Sequence, residues 1–367
     1  MQIRTTTPLQ LTSDEIGAWT TMQRANPMLA SPYFCAEFTQ ATALARHDVE
    51  VAVLEIGGRP VGFFPYQRSR WNVGRSVAGR LSDFQAMICY PGLQYDPAAV
   101  LRGCGLSAWH FDHLLDPQRN FQDFVWRDAD SPHIVLGTGI EDYFEGQKNG
   151  KSLRSEYGQR KRKIEREVGP LRLETDVTDR SIIATCFRWK VEQYLRTGTP
   201  NVFAYRWVLD LFDAILSLRN DNFSSMVSVL YAGSTIAAVN FCLRSRDILH
   251  AWFPAYNMDL ARYSPGTLQW FEMIDALPKL GFRRIDLGKG PEQFKRRFMN
   301  GAVRVAEGTV DLRPMQLLFR RVWQRARDRI RDSRLYGPAR TPAAFLYRLN
   351  HWLEHRYVRS SRGTLTK

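Results

Sequence analysis

The spacing of apolar residues predicts helices over residues 13–25 and 34–46. Thr12 and Ser13 are both possible caps for the first, and Ser13 is preferred because Asp14 and Glu15 follow it directly. The period then shortens. "VEVAVLEIGGRPVGFFPYQRSR" reads as two strands about a Gly57-Gly58 turn. "GRLSDFQAMICYPGL" reads as a loop and short strand, followed by a helix near 97–106, a strand in "AWHFDHLLD" and another in "HIVLG". From Tyr143 to Gly169 the pattern is helical and very basic. "LRLETDV" is a strand, and 179–197 and 205–220 are helices separated by a break at Arg196–Asn201. A second hairpin, in "SSMVSVLYAGSTIAAVNFCLRSRDILHAWFPAY", turns at Ala232-Gly233-Ser234. A helix from about Thr267 to Leu280 ends at Gly281, as a C′ glycine should end it. A strand, "RRIDLG", and a basic helix in "GPEQFKRRF" follow.

The two hairpins lie about 175 residues apart, and helices precede each. That pattern suggests an internal duplication of one α/β unit. It divides the chain into residues 1–139, 140–312 and a last segment, 313–367.

Charge sharpens the division. The formal net charge is +14. From Arg313 to Lys367 there are fourteen Lys/Arg and three Asp/Glu, or +11, which leaves +3 for the other 312 residues. Nucleic-acid binding by the main body thereby loses its main support. The last segment carries Met315, Leu318, Phe319, Val322, Trp323, Ala326 and Ile330 on one helical stripe with arginines around it. Packing on the main body is the favoured reading; a partner such as a synthase, or an anionic membrane surface, is open to it as well. No apolar run reaches the roughly 18–20 residues of a membrane span, and the N-terminus lacks a signal-peptide core. A soluble cytoplasmic protein is expected, with membrane contact only at its periphery. Five separated cysteines without a CxxC read as buried thiols.

Five stretches carry candidate chemistry. In "RYSPGTLQWF", Pro265 and Gly266 open a helix whose free N–H groups favour an anion, and Arg262 adds a charge; the alternative is an ordinary helix start capped by Ser264. In "RRIDLGKGPEQFKRRF", Phe294 and Phe298 share a face and pack inward, so Lys295 points sideways toward an anion, while Arg296 and Arg297 face solvent. Asp286 there is either a catalytic acid or a strut paired with an arginine. In "LSDFQ", Asp83 is a candidate general base or an Asx turn. His250, in "ILHAWF", sits on the expected central strand as a base or a satisfied core residue. The basic helix offers Arg154, Arg160 and Lys163 to an anionic substrate, or shows a solvated face laced by Lys161–Glu165 and Lys163–Glu167 pairs. His110 and His113 fall on opposite sides of a strand, so no metal site is expected.

The order of these elements resembles the GNAT-type acyltransferases. The sequences "LSDFQAMI" (Leu81–Ile88), "RSEYGQRKRKIER", "YNMDLARYSPGTL" (Tyr256–Leu268) and "DLGKGPEQFKRRF" (Asp286–Phe298) narrow the resemblance. They are similar to the family named after the CelD protein of cellulose and exopolysaccharide biosynthesis, which is related to the Fem peptidoglycan aminoacyltransferases. The resemblance implies an α/β protein of two tandem GNAT-like mixed-sheet units with a helical C-terminal extension. It implies acetyl-CoA, or another acyl-CoA, as co-substrate, and transfer to a hydroxyl or amine of a polysaccharide or its precursor. Asp286, Asp83 and His250 would then be catalytic, and Arg262, Ser264, Gly266, Thr267 and Lys295 would bind the cofactor. Arg154, Arg160 and Lys163 would bind substrate. Two alternatives stay open: a Fem-like transferase using aminoacyl-tRNA, and a non-catalytic accessory protein of exopolysaccharide synthesis. Two departures bear on them. Phe294 stands where such sequences often have Tyr before the motif lysine, and the Q/R-x-x-G-x-G/A loop is replaced by "ARYSPGT".

Overall fold

The computed structural model describes residues 1–290 and 293–313, so the C-terminal stripe lies outside the described residues. The first half runs β1 (Gln2–Thr6), α1 (Ser13–Ala25), α2 (Ala36–Ala45), β2 (Val49–Ile56), β3 (Arg59–Ser69), β4 (Val73–Arg75), β5 (Ile88–Cys89), α3 (Pro97–Gly103), β6 (Ala108–Leu114) and β7 (Val125–Val135). Helices α4 (Ile140–Gly146) and α5 (Gly150–Glu167) connect it to the second. There the order repeats: β8 (Leu171–Glu174), α6 (Arg180–Thr197), α7 (Arg206–Ser217), β9 (Ser224–Ala232), β10 (Thr235–Ser245), β11 (Ile248–Tyr256), α8 (Pro265–Ala276), β12 (Arg284–Asp286), α9 (Gln293–Phe298) and β13 (Gly301–Asp311).

One mixed sheet joins both halves in the order β1-β2-β3-β4-β6-β13-β7-β12-β11-β10-β9-β8. Read from its two ends inward, this order is a pseudo-two-fold. β8 answers β1, β9 answers β2, β10 answers β3, β11 answers β4 and β12 answers β6. At the centre each half lends its last strand to the other. β7 pairs with β12, and β13 pairs with β6. Among the described residues only two strand pairs are parallel, β4 with β6 and β11 with β12, and they occupy equivalent places.

The helices between the halves close the main core. Trp19, Phe38 and Phe63 from the first half share one buried cluster with Phe212, Phe241 and Phe253 from the second. Each such side chain contributes about 1.5–3 kcal/mol by leaving water. The two halves are therefore held as one packed body, and side chains from both can meet at fixed distances. All five cysteines are free and buried, as expected, and burial raises their thiols.

Several expectations need correction. Thr12, not Ser13, caps α1: its Oγ1 accepts from the Glu15 N–H (3.2 Å) while the Glu15 carboxylate accepts from the Thr12 N–H (2.8 Å). The reciprocal box needs Glu at the third helical position, and that selects Thr12. Thr12→Ala should cost about 1 kcal/mol in chemical denaturation, and Ser13→Ala close to nothing. The "HIVLG" strand is only the apolar tail of β7. β13 was not anticipated at all. Helix α8 begins at Pro265 rather than Thr267, and α9 spans six residues.

Candidate active site

Strands β11 and β12 pair over three positions, Ile248–His250 with Arg284–Asp286. Beyond that they part. The Leu287 N–H donates to the Pro132 carbonyl (3.0 Å), toward β7, while β11 continues six residues to Tyr256. His250 and Asp286 are thus the last paired residues at the apex of a cleft. Bridge partners share a sheet face, so His250, Asp286 and His133 of β7 form one polar row across the centre of the sheet.

The first half supplies the other side. A bulge in β11 adds Trp252, whose Nε1 donates to the Leu81 carbonyl (2.9 Å) and so anchors the segment after it. From that segment Asp83 Oδ2 meets His250 Nε2 at 2.9 Å. Asp83 also packs against Gly288, where a Cβ would fall 2.4 Å from Oδ2. His250 has no exposed surface, whereas the Asp83 side chain keeps 27% of its own. The carboxylate is therefore the outward member of the pair. Burial alone would raise the Asp83 pKa. The hydrogen bond from His250 and the charges of His250, His113 and Lys295 more than offset it, and the carboxyl is held below its usual range. His250 Nδ1 has no hydrogen-bond partner among the described residues. Tyr33, which nothing in the sequence had singled out, packs edge-on against the His250 ring with centroids 4.8 Å apart. Burial and the Asp83 charge raise its hydroxyl well above the ordinary tyrosine value, so it is neutral.

Asp286 is 1% exposed and lies 2.9 Å from Arg284 Nε, which is the strut arrangement. His133, opposite it, has its pKa lowered by burial, against the pull of Asp286. Lys295, expected to turn sideways toward an anion, faces the charge of Asp83. It is buried, donates to the Lys289 carbonyl (3.2 Å) and acts on Asp83, so it belongs to this cluster. The reason is local: α9 is short and packs against the end of β7, which covers the position next to Phe294 as well as Phe298. Phe294 and Phe298 do pack inward, on Trp270 and Phe271. Arg296 is exposed as expected, but Arg297 is drawn to Glu156 on α5.

The second group of candidates gathers at the start of α8. Ser264 sits at φ +55°, and its carbonyl takes the N–H groups of Thr267 (2.9 Å) and Leu268 (3.1 Å); its hydroxyl caps nothing. Gly266 has space above it, with only the Tyr256 ring within 4 Å of a built Cβ, and its N–H is without a partner among the described residues. Helix α5 runs alongside. Arg160 donates to Ser264 Oγ, Lys163 lies 5.7 Å over the Tyr263 ring, and Arg262 lies 4.6 Å over the same ring. Arg160 and Lys163 therefore stand with Arg262, Ser264, Gly266 and Thr267. Arg154 does not join them and pairs with Glu141 (2.5 Å). The expected Lys161–Glu165 pair is replaced by Lys161–Glu272, 2.9 Å across to α8. Lys163 and Glu167 both turn to Tyr263 instead of to each other. An unpaired N–H with cations around it fits a phosphate anion. His110 bonds Thr309 (2.9 Å) and His113 meets Asp112 (2.9 Å). Among the described residues no group of three or more His, Cys, Asp or Glu could hold a metal ion.

Residues 151–296 match the family model described as acetyltransferase (GNAT) domain. The chain carries a GNAT acyltransferase domain. That domain holds His250, Asp286, Lys295 and the start of α8, while Asp83 and Tyr33 reach it from outside. No curated protein sequence matches the chain. Among solved structures, the fold is similar to FemX, with a TM-score of 0.54 at 9% identity over 87% of this chain and 99% of that one. It is similar to a conserved protein of unknown function from Bacteroides thetaiotaomicron, with a TM-score of 0.53 at 11% identity over 85% of this chain and 100% of that one. A third, from Agrobacterium fabrum, is the C-terminal DUF2156 domain of a protein described as a lysylphosphatidylglycerol synthetase (TM-score 0.50, 13% identity, 84% of this chain and 95% of that one). At such identities the likeness is one of fold. No helix among the described residues is long and apolar enough to cross a membrane.

Proposed function

We propose that the protein transfers an acetyl group from acetyl-CoA to a hydroxyl or amine of a polysaccharide or its precursor, in the manner of the CelD-like proteins its motifs resemble. The observation that carries the reading is the Asp83–His250 pair at the apex of a cleft whose far end opens on the α8 start. Six residue steps along β11 lead from His250 to Tyr256, about 20 Å of strand. A cofactor bound by its phosphates at Gly266, Thr267, Arg160, Lys163 and Arg262 would lie along that edge with its thioester toward His250. Asp83 takes the proton of the acceptor as its oxygen or nitrogen attacks the acyl carbon and the carbon–sulfur bond breaks. His250 holds Asp83 through Nε2–H and leaves Oδ1 toward the acceptor. N–H groups on the open edge of β11 face the charge that develops on the carbonyl oxygen. Most of the acceleration comes from holding the two reactants together.

This reading places the acyl donor at the start of α8 in the second half. The equivalent helix of the first half, α3, is capped by Asp96, whose carboxylate already accepts from the Ala98 N–H (2.8 Å). A phosphate there would meet a like charge.

Thermal unfolding with acetyl-CoA tests the reading. A ligand that binds only the folded state, at 100 times its dissociation constant, stabilises by about 2.7 kcal/mol. Arg160→Ala is expected to shrink that shift. No shift with acetyl-CoA, CoA or a longer acyl-CoA would sink the reading. One observation favours a Fem-like aminoacyl-tRNA substrate instead: exposed cations, among them Lys151, Arg154, Arg162 and Arg166, line α5. That reading requires tRNA binding that weakens steeply with salt.

A further inference from the structure

The turns β3–β4 and β10–β11 are equivalents in the duplicated unit, yet they close differently. In the second half two residues, Arg246 and Asp247, join Ser245 to Ile248, its partner across the ladder. There Asp247 pairs with Arg283, and the turn exposes no large apolar side chain. In the first half three residues, Arg70, Trp71 and Asn72, join Ser69 to Val73. The longer turn brings backbone strain with it. Trp71 lies at φ +61° and Asn72 at φ +53°. Asparagine visits the left-handed region readily, but a tryptophan Cβ crowds the carbonyl there, and a hairpin of this length ordinarily uses glycine. Ser107 holds the turn: its Oγ donates to the Trp71 carbonyl (2.9 Å) and its N–H to the Asn72 carbonyl (2.8 Å).

The side chain does not repay that strain by packing. Trp71 is 76% exposed, more than any other large apolar side chain among the described residues. The Arg70 guanidinium lies 5.3 Å from its ring centroid. On one side, the Arg68 N–H donates to the Asp48 carbonyl (2.8 Å), which brings the end of α2 beside the turn. Leu44, on the last turn of α2, is 60% exposed, and His47 after it is exposed too. On the other side, the Leu312 N–H donates to the Ser107 carbonyl (2.9 Å). The described chain ends one residue later, at Arg313. The segment of net charge +11 therefore leaves the body two hydrogen bonds away from Trp71.

We infer that this corner of the first half, with the Trp71 ring at its tip and the basic segment leaving beside it, is a docking surface for an anionic lipid bilayer. Tryptophan favours the boundary between headgroups and acyl chains, where its ring is out of water and its N–H still finds partners. Lys and Arg next to it are drawn to anionic headgroups within a Debye length. Each signal is weak alone, and stable peripheral binding combines an apolar insertion with a polybasic stretch. A nucleic acid would answer the charge but not the apolar stripe of Met315, Leu318, Phe319 and Val322 in the same segment. The strain at Trp71 then has a cause, since a tight tip carries the ring into the interface ahead of the body. The inference stands apart from the acyltransferase reading and uses none of its residues.

Flotation of the full chain with vesicles of phosphatidylcholine alone, or of phosphatidylcholine mixed with phosphatidylglycerol, tests the inference. Binding to the mixed vesicles is expected, weakening as salt rises, and binding to phosphatidylcholine alone should be at least about tenfold weaker. Trp71→Gly should weaken binding to the mixed vesicles about tenfold, and Trp71→Phe by less. Brominated phosphatidylcholine in the mixed vesicles should quench part of the wild-type tryptophan fluorescence, and that part should vanish in Trp71→Gly. The same substitution should keep or raise the melting temperature of the free protein, because glycine accepts the left-handed backbone. Weaker binding would then not be a folding defect. No binding to the mixed vesicles, equal binding to both kinds, equal binding of Trp71→Gly and wild type, or quenching that Trp71→Gly leaves unchanged overturns the inference. So does a clear drop in the melting temperature of Trp71→Gly, which would show that the ring is covered by the chain's own last segment.

Discussion

Asp83→Asn is expected to lower the turnover of acetyl transfer by about 10²–10⁴-fold, the usual contribution of a positioned general base. The asparagine keeps the size and a contact to His250 but cannot take a proton. Acetyl-CoA should stabilise the variant as it does the wild type, because the cations that would hold its phosphates lie at the other end of β11. A full loss of that stabilisation would place Asp83 in binding instead, and unchanged turnover would remove it from the reaction. His250→Gln should fall between wild type and Asp83→Asn, since it loosens the carboxylate without removing it. The same substitution has a pH signature. The Asp83 carboxyl is held below its usual range, so the unfolded chain binds its proton more readily than the folded one. Stability from this group is therefore complete above the unfolded value of about 3.9 and is lost as pH falls through the folded value. The melting-temperature gap between wild type and Asp83→Asn should be widest above about pH 4 and close below it.

The parts of the fold that were legible from the sequence are those whose signals are local. Gly57-Gly58 and Gly233 mark turns between alternating runs, and both hairpins form there. Gly281, at φ +86°, ends the helix region it was expected to end. The central strands were not legible. β7 contains "WRDADSP", polar and broken by Pro132, because half of its residues face water. β13 carries Gly301 and Gly308 and no apolar run in its first half. Their exchange between halves pairs residues 149 or more positions apart, which no local pattern encodes.

The site divides the same way. Asp83, His250 and Asp286 were each found singly, by residue type and motif, yet the bond between Asp83 and His250 depends on the packing of the two halves. Tyr33 had no signal, since its role comes only from lying against a residue 217 positions away in the chain. Helical spacing predicted correctly that Phe294 and Phe298 turn inward. It turned Lys295 toward an anion, and the one it meets is Asp83 of the first half; spacing gave no sign that the position would be buried. Similarly, i,i+4 spacing offered Glu165 to Lys161, and a neighbouring helix offered Glu272 instead.

Gly288→Ala is the second large effect. Gly288 adopts φ +71°, and a Cβ there would lie 2.4 Å from Asp83 Oδ2 and 3.0 Å from its Cγ. The left-handed conformation alone costs a residue with a Cβ about 1–2 kcal/mol. The contact adds a specific consequence, because the atom that must yield is the oxygen bonded to His250. Turnover is expected to drop about 10–100-fold, with acetyl-CoA affinity unchanged. Gly281→Ala separates the two causes. It has φ +86° and open space where its Cβ would go, so it should lose similar stability and keep its turnover. Combining Gly288→Ala with Asp83→Asn completes the argument. If the glycine acts by leaving room for the carboxylate, the double variant should be no slower than Asp83→Asn alone, a strong departure from additivity between neighbours. Multiplied losses would mean that Gly288 shapes the cleft for some other group.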